Sequence, residues 1–326
     1  MFKPLPGILV LLLLALLAGV AVAQDSDMMG DLPSEVAFAQ PGIMPEGVEW
    51  DAAHERFLVG SLTTGTIYAI ADDGTIEPFI EDDELASTVG IEIDEANNRL
   101  LVTNSDASVF SAPDATGMAG LAAYDLDTGE RLFMVDLSDL YVGRHFANDV
   151  TVDDAGNAYV TDSFSPVIYQ VTPEGEAEIY AQSDLFANEF IGLNGIEYIP
   201  SDGDMTAYLL AAVTGSASIY KIPLGVPAEV TQVIIDEPFG ADGMALLPDG
   251  SIAAVASFES GQEIVIFSSE DDFETASIGA RTASGGSATT LAIRDGAIFF
   301  VNAYLINPAQ EEYQIVHAEF EDMAME

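Results

Sequence analysis

The chain has 326 residues, of which 55 are acidic and only 8 are basic, so its formal net charge is −47. Such a surface repels nucleic acid and anionic lipid, and neither is expected as a partner. Hydrophobic residues make up 49% of the chain, which is enough for a core, and the absence of cysteine excludes disulfides and lipid attachment through cysteine. We interpret the charge as a solvating surface, typical of proteins that work in high salt, rather than as a low-affinity calcium store.

The N-terminus has the pattern of a signal peptide. Lys3 precedes an apolar run over residues 7–22, and a small-residue cleavage site ends at Ala23. The run is shorter than the roughly 20 residues that a membrane-spanning helix needs. We therefore predict a signal peptide at 1–23, a flexible N-terminus at 24–33 and a secreted or periplasmic protein without membrane attachment after cleavage. A retained N-terminal anchor is the alternative.

One pattern then recurs six times along the chain. Each repeat opens with a Gly or a polar pair before a short apolar strand, continues through a turn rich in Asp, Asn and Gly, and ends in strands of β-branched and aromatic residues. The openings lie 43 to 59 residues apart, which is the period of propeller blades. Their first residues are Glu46, Val89, Asn148, Asn194, Asp242 and Thr289. The sequence therefore predicts an all-β, six-bladed β-propeller with four-stranded blades over residues 34–320.

The two ends of this region predict how the ring closes. The sixth repeat runs out after three strands near Phe320, while residues 35–38 form a spare strand-like segment before the first repeat. We expect that segment to complete the last blade, so that an N-terminal strand closes the ring. Residues 321–326 are then an acidic tail. The longest insertion, residues 104–120 in the second repeat, is equally compatible with a functional loop and with a disordered surface loop.

The first residues of the repeats should face the central channel, because the innermost strand of each propeller blade lines it. Four of them carry oxygen donors, namely Glu46, Asn148, Asn194 and Asp242. Two carboxylates and two amide oxygens suit a hard divalent cation, best Ca²⁺, whereas zinc would require Cys or His. Taken singly these are ordinary turn or strand-end residues. Their shared register favours a cation site, since four buried polar side chains would be costly without a cation.

The second strand of each blade should end at the same face as the ring. These ends are polar, so we predict that they contact substrate at the mouth of the channel, with simple strand-end capping as the alternative. The residues are Ser61, Asn104, Asp162, Thr214, Ser257 and Asn302. Asp149, next to a predicted ligand, is expected to orient the ligand set from behind.

Four segments around the predicted ligands resemble a known family. They are Pro45-Glu46-Gly47-Val48, Phe146-Ala147-Asn148-Asp149-Val150, Leu193-Asn194-Gly195-Ile196 and Ala241-Asp242-Gly243-Met244. In this order and at blade spacing they resemble the senescence marker protein/gluconolactonase-like family, which is related to diisopropyl-fluorophosphatase and strictosidine synthase. The resemblance covers roughly residues 34–320. It implies a hydrolase of lactones, esters or phosphotriesters that depends on calcium or, in some members, on another divalent cation.

The resemblance also implies roles for single residues. The ligands of the family fall on the four ring positions named above, and Asp242 doubles as general base or nucleophile. Sugar-lactonase members carry an arginine where this chain has Phe146, so an apolar wall and a more hydrophobic ester or lactone are expected. By similarity to the more distant paraoxonases, His145 is a second candidate base, although a loop histidine is more often a bystander.

Two classes of function follow from this reading. The first is a monomeric, calcium-dependent hydrolase of a small-molecule ester or lactone. The alternative is a non-catalytic propeller whose ion is structural and whose face binds a ligand or partner. The pair of carboxylates favours the enzyme, because a scaffold could fill the channel with apolar side chains at less electrostatic cost. Condensation of the strictosidine-synthase type is disfavoured, because metal-independent relatives should not need both Glu46 and Asp242.

Overall fold

The computed structural model describes residues 32–320, apart from residues 113, 202, 204, 205 and 308. The predicted signal peptide, most of the predicted flexible N-terminus and the predicted acidic tail lie outside the described residues. From Pro33 onward the described residues belong to one compact body. Within them, no helix has the length and apolar character that would let it cross a membrane.

The described chain consists of β-strands joined by short turns. In chain order the strands are β1 (Glu35–Ala39), β2 (Val48–Asp51), β3 (Arg56–Val59), β4 (Ile67–Ile70), β5 (Ile76–Ile80), β6 (Ser87–Asp94), β7 (Arg99–Ser105), β8 (Gly117–Asp125), β9 (Arg131–Asp136), β10 (His145–Val152), β11 (Ala158–Asp162), β12 (Val167–Val171), β13 (Ala177–Gln182), β14 (Leu193–Ile199), β15 (Tyr208–Val213), β16 (Ser218–Pro223), β17 (Thr231–Ile235), β18 (Gly240–Leu246), β19 (Ile252–Phe258), β20 (Gly261–Ser268), β21 (Thr275–Ala283), β22 (Ala288–Arg294), β23 (Ala297–Asn302) and β24 (Glu312–His317). Short 3-10 helices lie at Glu95–Asn97, Ala107–Phe110, Ser138–Leu140, Asp184–Phe186 and Thr214–Ser216. The prediction of an all-β chain is confirmed.

The strands pair antiparallel in units of four. One four-stranded sheet has the order β2-β3-β4-β5, and another has the order β1-β24-β23-β22. Two eight-stranded sheets each combine two such units, β6 to β9 with β10 to β13, and β14 to β17 with β18 to β21. Short parallel pairings of β8 with β10 and of β17 with β21 join the units within these sheets. The repeat seen in the sequence is therefore one four-strand unit.

The two ends of the described chain meet in one sheet. β1 pairs antiparallel with β24 along its whole length. Val36 and Phe38 of β1 are buried, and the ring of Phe38 stacks on that of Tyr313 with centroids 5.8 Å apart. Alternating buried and exposed residues are typical of a strand with one covered face. The N-terminal strand therefore supplies the outermost strand of the C-terminal sheet.

The first strands of the units surround a common centre. β2, β6, β10, β14, β18 and β22 contact one another in a closed cycle, in which β22 touches β2. Buried aliphatic and aromatic side chains fill the space between neighbouring units. The hydrophobic effect thus holds each unit against the next. As a result, the first residues of all the repeats lie around the same axis.

A β-bulge recurs in the innermost strands. In β6, β10, β14, β18 and β22, two residues face a single residue of the next strand, which interrupts the pairing. The bulged pairs are Val89-Gly90, Asn148-Asp149, Asn194-Gly195, Asp242-Gly243 and Thr289-Thr290. Bulges remove residues from the ladder and redirect their side chains. The repeat openings found in the sequence therefore mark the bulges.

Glycine at the second bulge position lets neighbouring innermost strands approach closely. A Cβ atom at Gly195 would lie 2.1 Å from the carbonyl oxygen of Asp242, and one at Gly90 would lie 2.7 Å from that of Asn148. At Gly47, which has the same place in the first repeat, the distance to the carbonyl oxygen of Val89 would be 2.2 Å. No side chain fits at these distances. The glycines therefore bring adjacent ring positions together.

Candidate functional site

The structure gathers the four predicted ligands around the centre, Asn148, Asn194 and Asp242 at bulges and Glu46 just before β2. Glu46, Asn148 and Asn194 are only 6 to 7% exposed, while Asp242 is half-buried. The first and sixth repeats are joined at this point, because the hydroxyls of the Thr289-Thr290 pair both donate to the carbonyl oxygen of Glu46 at 2.7 Å. Asp242 is thus the most accessible of the four side chains.

Burial and mutual repulsion raise the pKa values of the carboxyls at the centre. The pKa of Glu46 lies well above its ordinary value, first because of burial and then because of the negative charges of Asp242 and Asp149. Burial raises the pKa of Asp242 to about 7, against the effect of a hydrogen bond from Asn194. It raises the pKa of Asp149 to about 7 as well, against two backbone N–H donors. None of the three carboxyls has a Lys, Arg or His partner among the described residues.

Two hydroxyl groups fix the orientation of the asparagine amides. Nδ2 of Asn148 donates to Oγ of Ser163 at 2.9 Å, and Nδ2 of Asn194 donates to Oγ1 of Thr214 at 3.0 Å. Each hydroxyl in turn donates to a main-chain carbonyl of the next innermost strand. Because its single hydrogen is used there, each hydroxyl accepts from the amide nitrogen. The two Oδ1 atoms remain on the opposite branch, and within the described chain no group donates to them.

This set of donors fits a hard divalent cation. It combines two carboxylates that lack a cationic partner with two amide oxygens that lack a donor, and Ca²⁺ prefers such oxygen ligands. In the part of the chain that the structure describes, no group of three or more His, Asp or Glu side chains is placed to hold a metal on its own. A cation at the centre would therefore depend on the amides of Asn148 and Asn194. The amide orientation is the feature that makes them suitable.

Asp149 has a different place from the expected one. Its carboxylate accepts hydrogen bonds from the backbone N–H of Val150 at 2.9 Å and of Ile196 at 3.1 Å, so it braces β10 against β14. The groups that orient the asparagines are Ser163 and Thr214 instead. The sequence predicts the adjacent Asp162 as the polar end of the second strand and gives no signal for Ser163.

Most of the side chains predicted to contact substrate cap strand ends. Ser61 and Asp162 are fully buried, and Ser61 donates to the carbonyl oxygen of Ile43. The amide of Asn104 bonds main-chain atoms of the preceding turn on both of its branches. Thr214 holds Asn194, as described above. For these four residues the structure agrees with capping, the alternative interpretation, rather than with an open mouth.

Two of the predicted substrate contacts remain available. Ser257 is exposed. Asn302 is 7% exposed, and its buried Oδ1 has no hydrogen-bond partner among the described residues. Asn302 pairs with Ala288, next to the ring position Thr289. An unpaired buried acceptor is costly.

His145 belongs to a buried network at the beginning of β10. Its Nδ1 lies 2.8 Å from Oδ2 of Asp162 and 3.4 Å from the hydroxyl of Tyr169, which donates to the same carboxylate at 3.1 Å. The other oxygen of Asp162 accepts from three backbone N–H groups. Tyr169 lies on β12, the third strand of the unit, so the three side chains of this network belong to one sheet. Among the described residues, no hydrogen bond joins His145 to the four predicted ligands.

The predicted apolar wall is an aromatic cluster beside the ring. Phe146 is buried and packs with Val89, the ring position of the second repeat, and with Val109 of the long insertion. Phe110 of the insertion meets Phe146 edge-on at 4.8 Å and Phe164 at 5.4 Å between ring centroids. Phe110 is 52% exposed. The surface of the wall is therefore Phe110, supported by Phe146 from beneath.

A second group of carboxyls lies farther along the innermost strands. Glu49, Glu92 and Glu197 each follow a ring position by three residues and line a cavity of about 210 Å³ together with Glu95. Burial and mutual repulsion hold the pKa values of Glu49 and Glu92 well above the ordinary value, and burial raises the pKa of Glu197 to about 8. The sequence predicts no role for these three glutamates. The innermost strands thus carry two successive layers of carboxyls.

Replacing Ser163 with alanine is expected to weaken calcium binding by about 10- to 100-fold, because the Asn148 amide loses the acceptor that fixes its orientation. Isothermal titration calorimetry with Ca²⁺ would measure the effect. Ser218→Ala removes a hydroxyl from β16, the third strand of its unit, and should bind calcium like the wild type. Equal affinities of the Ser163→Ala variant and the wild type would contradict this assignment.

Fold and site together define an all-β protein whose sheets surround a centre rich in oxygen donors. Neither a protein-family model nor a curated protein matches the chain. Among solved structures, the chain is similar to the major allergen Mala s 1 of Malassezia sympodialis, with 18% identity and a TM-score of 0.74 over 90% of this chain and 97% of the allergen.

Two enzymes of known structure are also similar to the chain. A gluconolactonase from Xanthomonas campestris is 16% identical, with a TM-score of 0.58 over 87% of this chain and 89% of the enzyme. A luciferin-regenerating enzyme is 12% identical, with a TM-score of 0.59 over 89% and 98% of the two chains. At these identities the similarity shows the fold. The chain is of the propeller type, and the resemblance to gluconolactonase-like proteins holds at the level of the fold.

Proposed function

We propose that this protein is a secreted or periplasmic, divalent-cation-dependent hydrolase of the lactonase or esterase type. The observation that carries the proposal is the centre itself. There, carboxyls of raised pKa meet two asparagine amides whose oxygens are left without donors. The gluconolactonase among the structural neighbours supports the same class of reaction.

The cation would be held by Glu46, Asn148, Asn194 and Asp242. Ca²⁺ suits this set best, and another divalent cation with a preference for oxygen ligands would also fit. When bound, it supplies Lewis acidity toward a carbonyl or phosphoryl oxygen. The protein prepares the site through the hydroxyls of Ser163 and Thr214, which hold the amides in one orientation.

Asp242 is the group best suited to move the proton. Its carboxylate is more accessible than the side chains of the other predicted ligands, so a water molecule can reach it, and a charged carboxylate can take a proton from that water. We assign it as the general base that takes a proton from the attacking water while the oxygen of that water bonds the acyl carbon. The carbon–oxygen bond of the ester or lactone then breaks, and the proton passes from Asp242 to the leaving alkoxide. We assign no role in this step to His145, because its Nδ1 bonds Asp162 and no hydrogen bond joins it to the four predicted ligands among the described residues.

We further propose that the four-strand units are six propeller blades and that β1 closes the ring in the last blade. The closed cycle of innermost strands and the pairing of β1 with β24 support this count. We expect a monomer, because the pairing of the two chain ends already completes the C-terminal sheet. The substrate is a small ester or lactone.

The alternative is a non-catalytic propeller that binds a ligand or partner and keeps the ion for structure. It is supported by the similarity to Mala s 1, whose TM-score of 0.74 exceeds the 0.58 of the gluconolactonase. Mala s 1 is known by its name as an allergen and not by a reaction. Fold alone does not decide between the two functions.

The test is hydrolysis of aryl esters, γ- and δ-lactones and a phosphotriester by the mature protein, with calcium and with a chelator. We expect turnover of at least one class that disappears with the chelator and returns when calcium is added. No turnover on any substrate, with calcium still raising the melting temperature, would overturn the hydrolase and favour the binding protein.

A further inference from the structure

Among the described Lys and Arg side chains, Arg144 is the one without an ion pair. Each of the other Lys and Arg side chains in this part of the chain has a carboxylate partner. The pairs are Arg56 with Asp51 at 2.8 Å, Arg99 with Asp94 at 2.9 Å, Arg131 with Asp82 at 3.0 Å, Lys221 with Asp272, Arg281 with Glu237 at 2.7 Å and Arg294 with Asp72 at 2.5 Å. In a chain so rich in acidic residues, an arginine that forms no ion pair with any described carboxylate requires an explanation.

The guanidinium of Arg144 is held in place by groups that do not neutralise it. It lies over the ring of Phe164 at 4.2 Å, and its Nη2 donates to the carbonyl oxygen of Val109 at 2.9 Å. Its Nε is buried without a partner among the described residues. The main chain of Arg144 is fixed as well, because the hydroxyl of Ser165 donates to its carbonyl oxygen at 2.7 Å. A planar guanidinium with unused N–H groups is suited to a bidentate carboxylate.

The surroundings of Arg144 are apolar and continuous with the ring. Phe164, under the guanidinium, contacts Phe110, which is 52% exposed. Phe110 in turn covers Phe146, and Phe146 packs against the ring position Val89. A continuous chain of aromatic contacts therefore connects the unpaired cation to a ring position. Exposed aromatic groups beside a specific polar group are typical of ligand sites.

We infer that the substrate is an amphipathic carboxylate, an ester or lactone that carries both an apolar chain or aryl group and a carboxylate. The apolar part would lie on Phe110 and Phe164, and the carboxylate would pair with Arg144. The reaction at this ligand rests on the proposed function, whereas recognition of the anion rests on Arg144 and the aromatic cluster. Because the net charge of the chain repels anions over long distances, a local cation is needed to hold one.

A pair of substrates tests this inference. 4-Nitrophenyl butyrate and mono-4-nitrophenyl glutarate share a leaving group and differ in a terminal carboxylate. We expect the kcat/KM of the wild type to be about 10-fold or more higher for the glutarate than for the butyrate. A charge-assisted hydrogen bond between Arg144 and the terminal carboxylate would provide a difference of this size. Arg144→Gln should lower this ratio by about 10-fold or more. Arg281→Gln removes the same charge from an exposed pair elsewhere and should keep the ratio.

Two results would overturn the inference in that assay. One is a wild-type ratio near or below one, and the other is an unchanged ratio in Arg144→Gln. If no ester is hydrolysed at all, the proposed reaction is wrong, and a binding measurement then tests the anion site on its own. Calorimetry with 4-phenylbutyrate and its uncharged amide should then show binding of the carboxylate alone, lost in Arg144→Gln. Equal binding of both compounds, no binding, or binding unaffected by the substitution would reject the anion site.

Discussion

Replacing Asp242 with asparagine is expected to lower hydrolysis by about 10²- to 10⁴-fold, the usual contribution of a general base. The amide keeps the shape of the side chain but cannot take a proton from water. The same substitution should make the metal-free protein more stable at neutral pH, because it removes a buried charge that burial disfavours. A loss of activity together with a gain of metal-free stability is the signature that distinguishes this role from simple unfolding.

Kinetics on the best substrate of the panel and chemical denaturation in chelator would measure both effects. Asp139→Asn, at an exposed position of a 3-10 helix, removes the same charge and should change neither. An Asp242→Asn variant with wild-type kcat would contradict the assignment of the base. A variant that is inactive and also less stable without metal would show that the carboxylate is needed for packing.

The metal-free protein should become less stable as the pH rises from about 4 to about 8. The carboxyls of unfolded chains have pKa values near 4, whereas burial raises those of Asp149 and Asp242 to about 7 and that of Glu197 to about 8. In this range the folded state therefore binds more protons than the unfolded state, and the free energy of unfolding falls with increasing pH. Below about pH 4 both states are protonated and these groups no longer penalise folding.

Calcium should reverse the part of this loss that comes from the centre. A bound cation favours the charged carboxylates of Glu46 and Asp242, so its stabilising effect should grow with pH and binding should release protons. Glu197→Gln, in the second layer of carboxyls, should flatten the pH dependence without changing the response to calcium. Urea denaturation at pH 5 and pH 8, in calcium and in chelator, measures both. A metal-free protein that gains stability with rising pH would contradict the description of the buried carboxyls.

The sequence was sufficient for the fold class because each repeat encodes the same local structure. A polar or glycine pair, an apolar strand and a turn at Asp, Asn and Gly recur every 43 to 59 residues, and these features act over only a few residues. The register of the ring followed from the same repeats. What the sequence presented as the start of a strand is a bulge, and the aligned positions Asn148, Asn194 and Asp242 are the redirected residues.

The groups that orient the side chains at the ring positions were harder to predict, because their roles depend on contacts between strands. Ser163 holds Asn148 from the loop that follows β11, and the bulge shifts the contact one residue beyond the strand end that was expected to matter. Asp162 is a polar strand end like the others, yet its carboxylate bonds the imidazole of His145. The isolation of Arg144 is visible only once the partner of every other cation is known. A single sequence does not contain that information.

Because of the bulges, the side chains at the centre can change without affecting how the strands pair into sheets. A side chain at the first bulge position takes no part in the strand ladder, so its identity can change while the pairing on both sides stays the same. Val89 and Thr289 already show that the position accepts an apolar residue and a hydroxyl. The side chains at the five bulges can therefore change while the sheets stay the same, and a scaffold of this kind can acquire a new ligand set by single substitutions, one repeat at a time.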